Sequence, residues 1–411
     1  MLVNMNIKNS MKKQLVIVGG GSSAHTIIPL LSKSSFDVSI LTSRPADWSH
    51  TIVLEHQNPK GEILGIYEGI LKDITDQPQV CIPHADYIVL CMPVHKYRSA
   101  LHNIAPYIRR DKEVVIGTVY GQGGFNWMVE EIQQYYNLNN LVIFAFGLIP
   151  WICRTKQYGK IGITYGFKER NAAAVYPNKY FAQINEELFQ YLCYNWFGKG
   201  KVEQLTNFIS ITLAVDNQII HPTRCYGINQ VYGSTWEKVE EVPLFYKDYD
   251  EFSAQCLAAL DADYSQVREK IKTLYPEKDF HYMLNYLDLE HYTYNSSSVD
   301  IVDSFVNSPT LQRIKTPVIV NDFGEVEIDK NCRFFMDDIY YGIAITKWIA
   351  ELFGVDTPMI DKILHWTQRV RNEKIISNEN KLLLNSIDLC APMKSGVPYY
   401  YGKTTIEEIV D

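Results

Sequence analysis

The chain has 411 residues, and its 39 Lys and Arg against 47 Asp and Glu give a formal net charge of −8. A chain of this length usually folds into two or more domains, and its mild acidity differs from the basic surface of nucleic-acid-binding proteins. No apolar run reaches the ~18 residues that a membrane-spanning helix needs, and residues 1–13 lack the apolar middle of a signal peptide.

These features predict a cytoplasmic enzyme that acts on small molecules, with no nucleic-acid or membrane partner. The cysteines lie far apart and form no C-x-x-C pair, as is typical of reduced intracellular thiols. The histidines and cysteines give no set of ligands at zinc spacing, so we expect no metal. Met1, Met5 and Met11 are alternative translation starts.

In the first third of the chain, short apolar strands alternate with helical stretches, which predicts βαβ units and a parallel sheet. Between residues 51 and 76 we expect a hairpin or a helix–strand excursion, and at 161–167 an added strand at the sheet edge. The other predicted strands are 14–19, 37–42, 87–92, 113–120 and 141–147, with helices at 23–32 and 96–108.

From about residue 207 the pattern changes to long helical periodicity, including an almost wholly apolar helix at 208–220. The Gly- and Lys-rich stretch at 199–206 predicts the boundary between the two parts. The expected fold class is α/β, with an N-terminal Rossmann dinucleotide-binding domain at 12–203 and a mainly helical catalytic domain at 204–411.

The loop after the first predicted strand carries a dinucleotide-binding pattern, G-x-G-x-x-A, at residues 19–24. Gly19 allows the tight turn, Gly21 lets the backbone approach a pyrophosphate, and Ala24 lets the helix pack close to the strand. Ser22 and Ser23 open that helix, whose N-terminal N–H groups attract phosphate. The alternative is a glycine-rich turn without a ligand.

The end of the second predicted strand indicates which cofactor binds. NAD-binding proteins place an Asp or Glu there against the ribose 2′-hydroxyl, but this chain has Ser43 and Arg44. A guanidinium can pair with a 2′-phosphate, and the serine hydroxyl can donate to it, which favours NADP(H). The alternative is a solvated loop arginine.

Two further strand ends lie at the edge of the sheet where ligands of open α/β folds bind. We expect Met92, Pro93 and Tyr120 to contact the cofactor, and Gln122, in a glycine-rich turn, to contact the substrate. A plain connecting turn is the alternative for this last segment.

A polar stripe runs along the apolar helix predicted at 208–220 and continues one residue past its end. Ser210, Ala214, Asn217 and His221 are spaced to share one helix face, and buried polar groups need a partner or a ligand. Pro222 disfavours helical backbone at His221, which predicts a proton-transfer imidazole, with a pKa near neutrality, at a helix end. The alternative is a satisfied core histidine.

Arg333, Asp337 and Asp338 come directly before another predicted helix. The two carboxylates can be simple helix caps. The functional interpretation gives one of them to a histidine and gives Arg333 to a substrate carboxylate.

These segments resemble the opine dehydrogenase family, the octopine/nopaline dehydrogenase group, and the likeness covers most of the chain. Residues 217–222, NQIIHP, resemble the N-x-x-x-H-P helix end that carries the family's catalytic histidine. Residues 333–342 and then 354–358, GVDTP, are similar to its R-x-x-x-(E/D)-D-x-x-x-G and G-V-x-T-P segments. Residues 148–154, LIPWICR, are a weaker match to L-P-Y-x-x-R.

The resemblance implies an NADPH-dependent reductive condensation of an amino acid with an α-keto acid such as pyruvate or 2-oxoglutarate. It implies that His221 is the acid–base catalyst, that Asp338 is its carboxylate partner and that Arg333 holds the keto acid. We place Asn217 and Arg154 beside the substrates.

Two other functions stay open: a 2-keto acid or β-hydroxyacid reductase that needs no amine, and a non-catalytic NADP-binding sensor. The sequence does not identify the amino acid, the keto acid, the product stereochemistry or the direction of the reaction. It also leaves the oligomeric state open, with a homodimer as one option.

Overall fold

The computed structural model describes residues 12–308, 310–390 and 395–410. The alternative starts Met1, Met5 and Met11 lie outside the described residues. In these three ranges, no helix has both the length and the apolar character needed to cross a membrane. Seven cysteines of the same ranges are free thiols.

An eleven-stranded sheet forms most of the N-terminal half, and a three-stranded sheet lies in the C-terminal half. The large sheet consists of β1 (Lys13–Val18), β2 (Phe36–Leu41), β3 (Thr51–Gln57), β4 (Ile63–Thr75), β5 (Tyr87–Leu90), β6 (Val114–Thr118), β7 (Leu141–Phe146), β8 (Trp151–Gln157), β9 (Ile161–Phe167), β10 (Arg170–Tyr176) and β11 (Lys201–Leu205). The small sheet consists of β12 (Thr235–Trp236), β13 (Val318–Val320) and β14 (Val326–Ile328).

Seven α-helices accompany the large sheet: α1 (Ser22–Leu30), α2 (Pro78–Cys81), α3 (Tyr97–Ile104), α4 (Phe125–Tyr136), α5 (Phe181–Ile184), α6 (Gln190–Leu192) and α7 (Tyr194–Phe197). The C-terminal half contains α8 (Ile209–Leu213), α9 (Asn217–Val231), α10 (Glu251–Leu274), α11 (Tyr286–Tyr294), α12 (Ile301–Val306), α13 (Arg333–Met336), α14 (Ala344–Phe353), α15 (Pro358–Arg371), α16 (Ile387–Cys390) and α17 (Glu407–Val410). Two π-helical turns lie at Asn185–Phe189 and Ile339–Ile343.

The centre of the large sheet is parallel, with strands in the order β4-β2-β1-β5-β6-β7. Its strands are apolar throughout because both of their faces are covered. In β1, Leu15 and Ile17 pack into one hydrophobic layer, while Val16 and Val18 pack into the other. The predicted α/β fold class with a Rossmann-type sheet is confirmed.

The strand order reverses between β1 and β5, which is where open α/β sheets form their ligand crevice. The loops that follow these two strands touch, since the Gly21 N–H donates to the Cys91 carbonyl over 3.0 Å. The glycine-rich loop therefore sits at the crevice.

The predicted hairpin between residues 51 and 76 is present as β3 and β4, which pair antiparallel. The predicted edge position of 161–167 was wrong, because β8 pairs outside β9 and forms the edge itself. The C-terminal half of β8, residues 154–157, is largely exposed and polar, so the sequence of this strand shows no clear strand pattern. At the other edge, β11 ends at Leu205, shortly after the proposed domain boundary at 203.

The single helix predicted at 208–220 was also wrong: it consists of α8 and the start of α9, which are separated by residues 214–216. Ala214 has a non-helical backbone (φ −91°, ψ 86°), and its carbonyl accepts a hydrogen bond from Gln122. Asp216 then caps α9, accepting from the N–H of Asn217. The segment is buried on all sides, so its hydrophobic pattern could not reveal the break.

Helix α9 does not end at His221 but runs through Pro222 to Val231. The proline costs one backbone hydrogen bond, yet the helix continues because it packs along α10. His221 thus lies in the second turn of a helix, and the predicted polar stripe does not share one helix face.

Candidate active site

The glycine-rich loop leaves no room for side chains at the two glycine positions of its G-x-G-x-x-A pattern. A Cβ at Gly19 would lie 2.7 Å from the Cys91 carbonyl oxygen, and one at Gly21 would lie 3.0 Å from the same atom. Gly19 also has a φ of +100°, which favours glycine. The loop then enters α1, whose first turn carries no acidic residue. These features fit a dinucleotide pyrophosphate at the helix N-terminus.

Ala24 is fully buried behind this loop, as close packing of α1 on β1 requires. Ser22 and Ser23 line the adjacent cleft, and the Ser22 hydroxyl lies 3.1 Å from that of Thr155 on β8. Both serines are therefore placed where a bound phosphate or ribose can reach them.

Arg44 follows β2 and stacks on Tyr158, with 3.8 Å between the guanidinium carbon and the ring centre. Its side chain is about half exposed and lies 3.4 Å from the Asp47 carboxylate. Tyr158 itself covers Gly20, and it is a contact that the sequence did not indicate. Ser43 is exposed beside Arg44, so a cation and a hydroxyl stand next to the glycine loop.

A cleft of about 500 Å³ lies where the carboxyl edge of the large sheet faces the helical half. Residues predicted from distant parts of the chain meet in its lining: Ser22, Ser23, Met92, Pro93, Tyr120, Arg154, Asn217 and Arg333. The cleft is thus bordered by the glycine loop on one side and by α9 and α13 on the other.

Behind the cleft wall, His221 and Asp338 form a buried pair. The His221 Nδ1 atom lies 2.7 Å from an Asp338 carboxylate oxygen, and the ring stacks on Phe334 at 3.8 Å between centres. A ring that donates from Nδ1 to a carboxylate keeps Nε2 as an acceptor. Packing and hydrogen bonding together hold the orientation of this imidazole.

Tyr246 stands between His221 and the cleft. Its hydroxyl lies 3.1 Å from Nε2 of His221, and its side chain lines the cleft, whereas the imidazole is 1% exposed and does not line it. The expectation that His221 faces the substrate directly is therefore corrected: the ring reaches the cleft through the Tyr246 hydroxyl. The sequence contained no signal for Tyr246, which lies in an irregular segment.

Burial lowers the pKa of His221 well below its ordinary value of 6.5, and the guanidinium groups of Arg333 and Arg154 lower it further. Burial also raises the pKa of Asp338, which Arg333 opposes. The imidazole is accordingly neutral at neutral pH, and the pKa lies below the near-neutral value expected from sequence. A neutral imidazole can accept a proton.

The approach of the Arg333–Gly342 segment to α9 explains how residues 221 and 338 meet. A Cβ at Gly342 would lie 2.7 Å from the Gln218 side chain, and the Gln218 amide donates to the Tyr341 carbonyl over 3.0 Å. Glycine at position 342 therefore lets the π-helical turn after Asp338 close against α9.

Asp337, next to Asp338, joins the two halves of the protein. One of its carboxylate oxygens accepts from the His95 backbone N–H at 3.0 Å and lies 2.5 Å from His95 Nδ1. His95 follows Pro93, which lines the cleft, so this contact links that side of the cleft to the segment that carries Asp338. Neither carboxylate is a simple helix cap, and the sequence did not indicate His95.

Arg333 and Arg154 bring positive charge to the cleft. The Arg333 side chain is exposed at the cleft, and its guanidinium makes no hydrogen bond within the described ranges. Desolvation lowers its pKa, but the nearby carboxylates of Asp338 and Asp337 raise the pKa above the ordinary value. Arg154 is exposed on β8. The Arg154 guanidinium donates to the Cys153 carbonyl over 3.0 Å and has further N–H groups, so both arginines can bind a carboxylate.

One predicted contact takes a different form in the structure. Gln122 is fully buried, donates to the Ala214 carbonyl over 2.9 Å and accepts from the Tyr120 hydroxyl over 2.8 Å. Gln122 can therefore influence the cleft only by positioning Tyr120. The predicted direct contact between Gln122 and the substrate is corrected accordingly. Asn217 lines the cleft but is not bonded to His221, whose nitrogens contact Asp338 and Tyr246.

Several known proteins are similar to this chain in sequence or in fold. Residues 204–371 match the family model described as the alpha-helical domain of NAD/NADP octopine/nopaline dehydrogenase. The opine dehydrogenase of Haliotis discus hannai is 25% identical, covering 97% of this chain and 99% of its own. The octopine dehydrogenase of Mizuhopecten yessoensis is 26% identical, covering 87% and 90%. An octopine dehydrogenase structure with NADH and L-arginine superposes with a TM-score of 0.80 at 22% identity, over 97% and 98% of the two chains.

The fold and the cleft define a two-domain dehydrogenase with a Rossmann dinucleotide-binding half and a helical half. Residues 204–371 resemble the helical domain of the octopine/nopaline dehydrogenases, and proteins named opine and octopine dehydrogenase are similar to this chain over most of its length. These relatives are named as dehydrogenases, and the description of the family model names NAD and NADP.

Proposed function

We propose that this protein is an opine dehydrogenase that joins an amino acid to an α-keto acid with NADPH as reductant. The observation that carries this proposal is the His221–Asp338 pair, connected by Tyr246 to a cleft that holds an unpaired Arg333 beside the glycine loop. The small-molecule character of the substrates agrees with the dimensions of that cleft.

In the proposed reaction, His221 accepts a proton from the substrate ammonium through the Tyr246 hydroxyl, and the neutral amine then attacks the keto carbon. One N–H proton of the adduct moves to its oxygen, which gives the carbinolamine. His221 returns its proton to the carbinolamine hydroxyl, which departs as water and leaves a protonated imine that is reduced by hydride. Asp338 holds the imidazole tautomer and stabilises its protonated form. When bound, the nicotinamide cofactor supplies the hydride.

Arg333 would hold the keto-acid carboxylate by a bidentate contact, which orients the keto carbon as well as neutralising charge. Arg154 and Asn217 line the same cleft and would contact the amino acid. The pairing of His95 with Asp337 would keep the cofactor side and the catalytic segment in register.

The test is a panel that crosses keto acids with amino acids and follows NADPH oxidation, with product mass as the second readout. A condensation product is expected, and oxidation should require both substrates. Equal oxidation with keto acid alone would instead favour the reductase alternative, and binding of NADPH without any turnover would favour the sensor.

We expect Arg44→Ala to raise the KM for NADPH about 10-fold or more, because a hydrogen bond to a charged group contributes ~1.5–3 kcal/mol. The KM for NADH should stay nearly unchanged, since NADH has no 2′-phosphate. Initial rates with both cofactors measure this. Arg369→Ala, which removes an exposed arginine outside the cleft, is the matched control. An equal effect on both cofactors would contradict the 2′-phosphate role.

We expect Tyr246→Phe to lower kcat about 10²-fold, the lower end of what a positioned proton-transfer group contributes. The phenyl ring keeps the packing while it removes the hydroxyl that reaches Nε2 of His221. Tyr249→Phe, at a neighbouring buried tyrosine that lines no part of the cleft, is the control. Steady-state rates measure both variants, and an unchanged kcat in Tyr246→Phe would remove the hydroxyl from the proton path.

A further inference from the structure

A second cavity of about 580 Å³, here called the side chamber, adjoins the cleft. Both cavities share a wall that includes Tyr246, whose hydroxyl bonds to His221. The residues common to the two linings are Ile152, Asp216, Asn217, Tyr246, Tyr294 and Leu311. A molecule held at the proposed reaction centre therefore has the side chamber directly beside it.

The walls of the side chamber are largely aromatic. Tyr165, Phe167, Tyr286 and Phe305 line it, together with hydroxyl and amide groups at 295–298. Its volume lies in the ~300–1,000 Å³ range of pockets that enclose whole small molecules. A hydrogen atom or a methyl group, the side chains of glycine and alanine, would leave such a space unused.

Charge is divided between the two cavities. Three carboxylates line the side chamber, those of Asp216, Glu290 and Asp303, and no Lys or Arg of the described residues does so. The cations Arg154, Lys168 and Arg333 line the cleft, where they outnumber the two carboxylates of Asp337 and Asp216, the second of which borders both cavities. Anionic groups of a substrate are thus favoured in the cleft and disfavoured in the side chamber.

Lys168, which follows β9, has a side chain that the sequence did not single out. It is 4% exposed, its ammonium lies 5.5 Å from the centre of the Tyr294 ring, and within the described ranges it has no hydrogen-bond acceptor. A buried ammonium without an acceptor is costly, so an anion that reaches it gains a strong contact. Because Tyr294 borders both cavities, Lys168 lies near their junction.

Burial lowers the pKa of Lys168 to about 8, while Asp216 and Cys153 act in the opposite direction. The side chain is therefore mostly protonated at neutral pH, as an anion-binding role requires. Tyr294 faces the same ammonium and carries no charge at this pH.

We propose that Lys168 holds the carboxylate of the amino-acid substrate at the junction, while the side chamber accepts its side chain, so that the enzyme prefers bulky neutral or basic amino acids. This inference rests on the proposed function, and it adds which amino acids that function uses. Arg333 is left for the keto acid.

The first test measures kcat/KM for glycine, alanine, methionine, phenylalanine, glutamine and glutamate with one keto acid and NADPH. Because one buried methylene already changes kcat/KM about 10-fold, we expect methionine or phenylalanine to exceed glycine by at least that factor. Glutamine should exceed glutamate, its isosteric acid, since the chamber carboxylates repel a second carboxylate. Equal values across the panel would overturn the assignment of the chamber.

Variants then separate the two contacts. Ser297→Trp fills the chamber and should raise the KM for the preferred bulky amino acid about 10-fold. The KM for glycine should stay unchanged in this variant, and Ser297→Ala is its control.

Lys168→Met should raise the KM for every amino acid about 10–100-fold but not the KM for the keto acid. Lys160→Met removes an exposed lysine from the turn before β9 and is the matched control.

An equal loss for glycine and bulky amino acids in Ser297→Trp would overturn the chamber, and an unchanged amino-acid KM in Lys168→Met would overturn the anchor. Absence of condensation with every substrate pair would contradict the proposed function instead. In that case calorimetric binding of phenylalanine to the enzyme–NADPH complex decides: binding that Ser297→Trp abolishes supports the chamber, and no binding overturns it.

Discussion

Replacement of His221 by asparagine is expected to lower kcat by about 10²–10⁴-fold, the range that a positioned acid–base group contributes. Asparagine retains an N–H that can donate to Asp338, so the buried carboxylate keeps a partner. The affinity for NADPH should stay close to that of the unchanged protein, because His221 lies behind the cleft wall and does not line the cofactor side. Single-turnover rates and cofactor titration measure these two quantities.

The pH profile provides a second readout for the same residue. In the proposed mechanism the proton acceptor is the neutral imidazole, and burial with two nearby guanidinium groups lowers its pKa. The neutral form therefore persists to lower pH, and the acid limb of kcat/KM assigned to His221 should fall below pH 6.5. This limb should vanish in His221→Asn and persist in His84→Asn, which changes an exposed histidine. Normal turnover in His221→Asn would remove the imidazole from the mechanism.

Replacement of Asp338 by asparagine is expected to lower kcat by up to about 10⁴-fold, as occurs when a catalytic histidine loses its carboxylate partner in serine proteases. The amide can donate to Nδ1, which places the ring proton on Nε2, the atom that faces Tyr246. The imidazole then offers no lone pair toward the cleft. The substitution also removes a buried negative charge that the nearby carboxylates of Asp337 and Asp216 repel. Because this repulsion is lost, the free energy of unfolding should not fall in parallel with activity.

Asp337→Asn is the matched control, because it changes the adjacent carboxylate without touching the imidazole. Asp337 pairs with His95, so this variant should loosen the contact between the two halves and affect substrate KM more than kcat. Rates and thermal unfolding of the two variants measured side by side provide the comparison. Similar losses of kcat in both would mean that the Asp338 effect is structural rather than a matter of the histidine tautomer.

Local sequence properties were sufficient for the nucleotide-binding half. Apolar runs such as 141–146 predict buried parallel strands because such strands are covered on both faces. The glycine pattern at 19–24 predicts a tight turn because only a residue without Cβ fits beside the Cys91 carbonyl. Edge strand β8 was missed because its C-terminal half is exposed to solvent. Its residues therefore do not alternate between apolar and polar as in a half-buried strand.

In the helical half the same reasoning worked less well. Residues 208–220 are apolar whether or not the helix is continuous, so their pattern did not show the break at Ala214. The position of that break depends on a hydrogen bond from Gln122, which lies 92 residues earlier in the chain. Tyr246, His95 and Lys168 likewise gave no local signal, since each is defined by what it meets across the cleft.

The sequence by itself determined the α/β class, the glycine turn and the residue types needed for proton transfer and carboxylate binding. Those are properties of short segments, governed by side-chain periodicity and backbone sterics. Only the tertiary structure decided that His221 and Asp338, 117 residues apart, share a hydrogen bond, and that Tyr246 stands between this pair and the cleft. Such contacts depend on how whole helices pack, where close approach at Gly342 matters as much as the identity of the catalytic side chains.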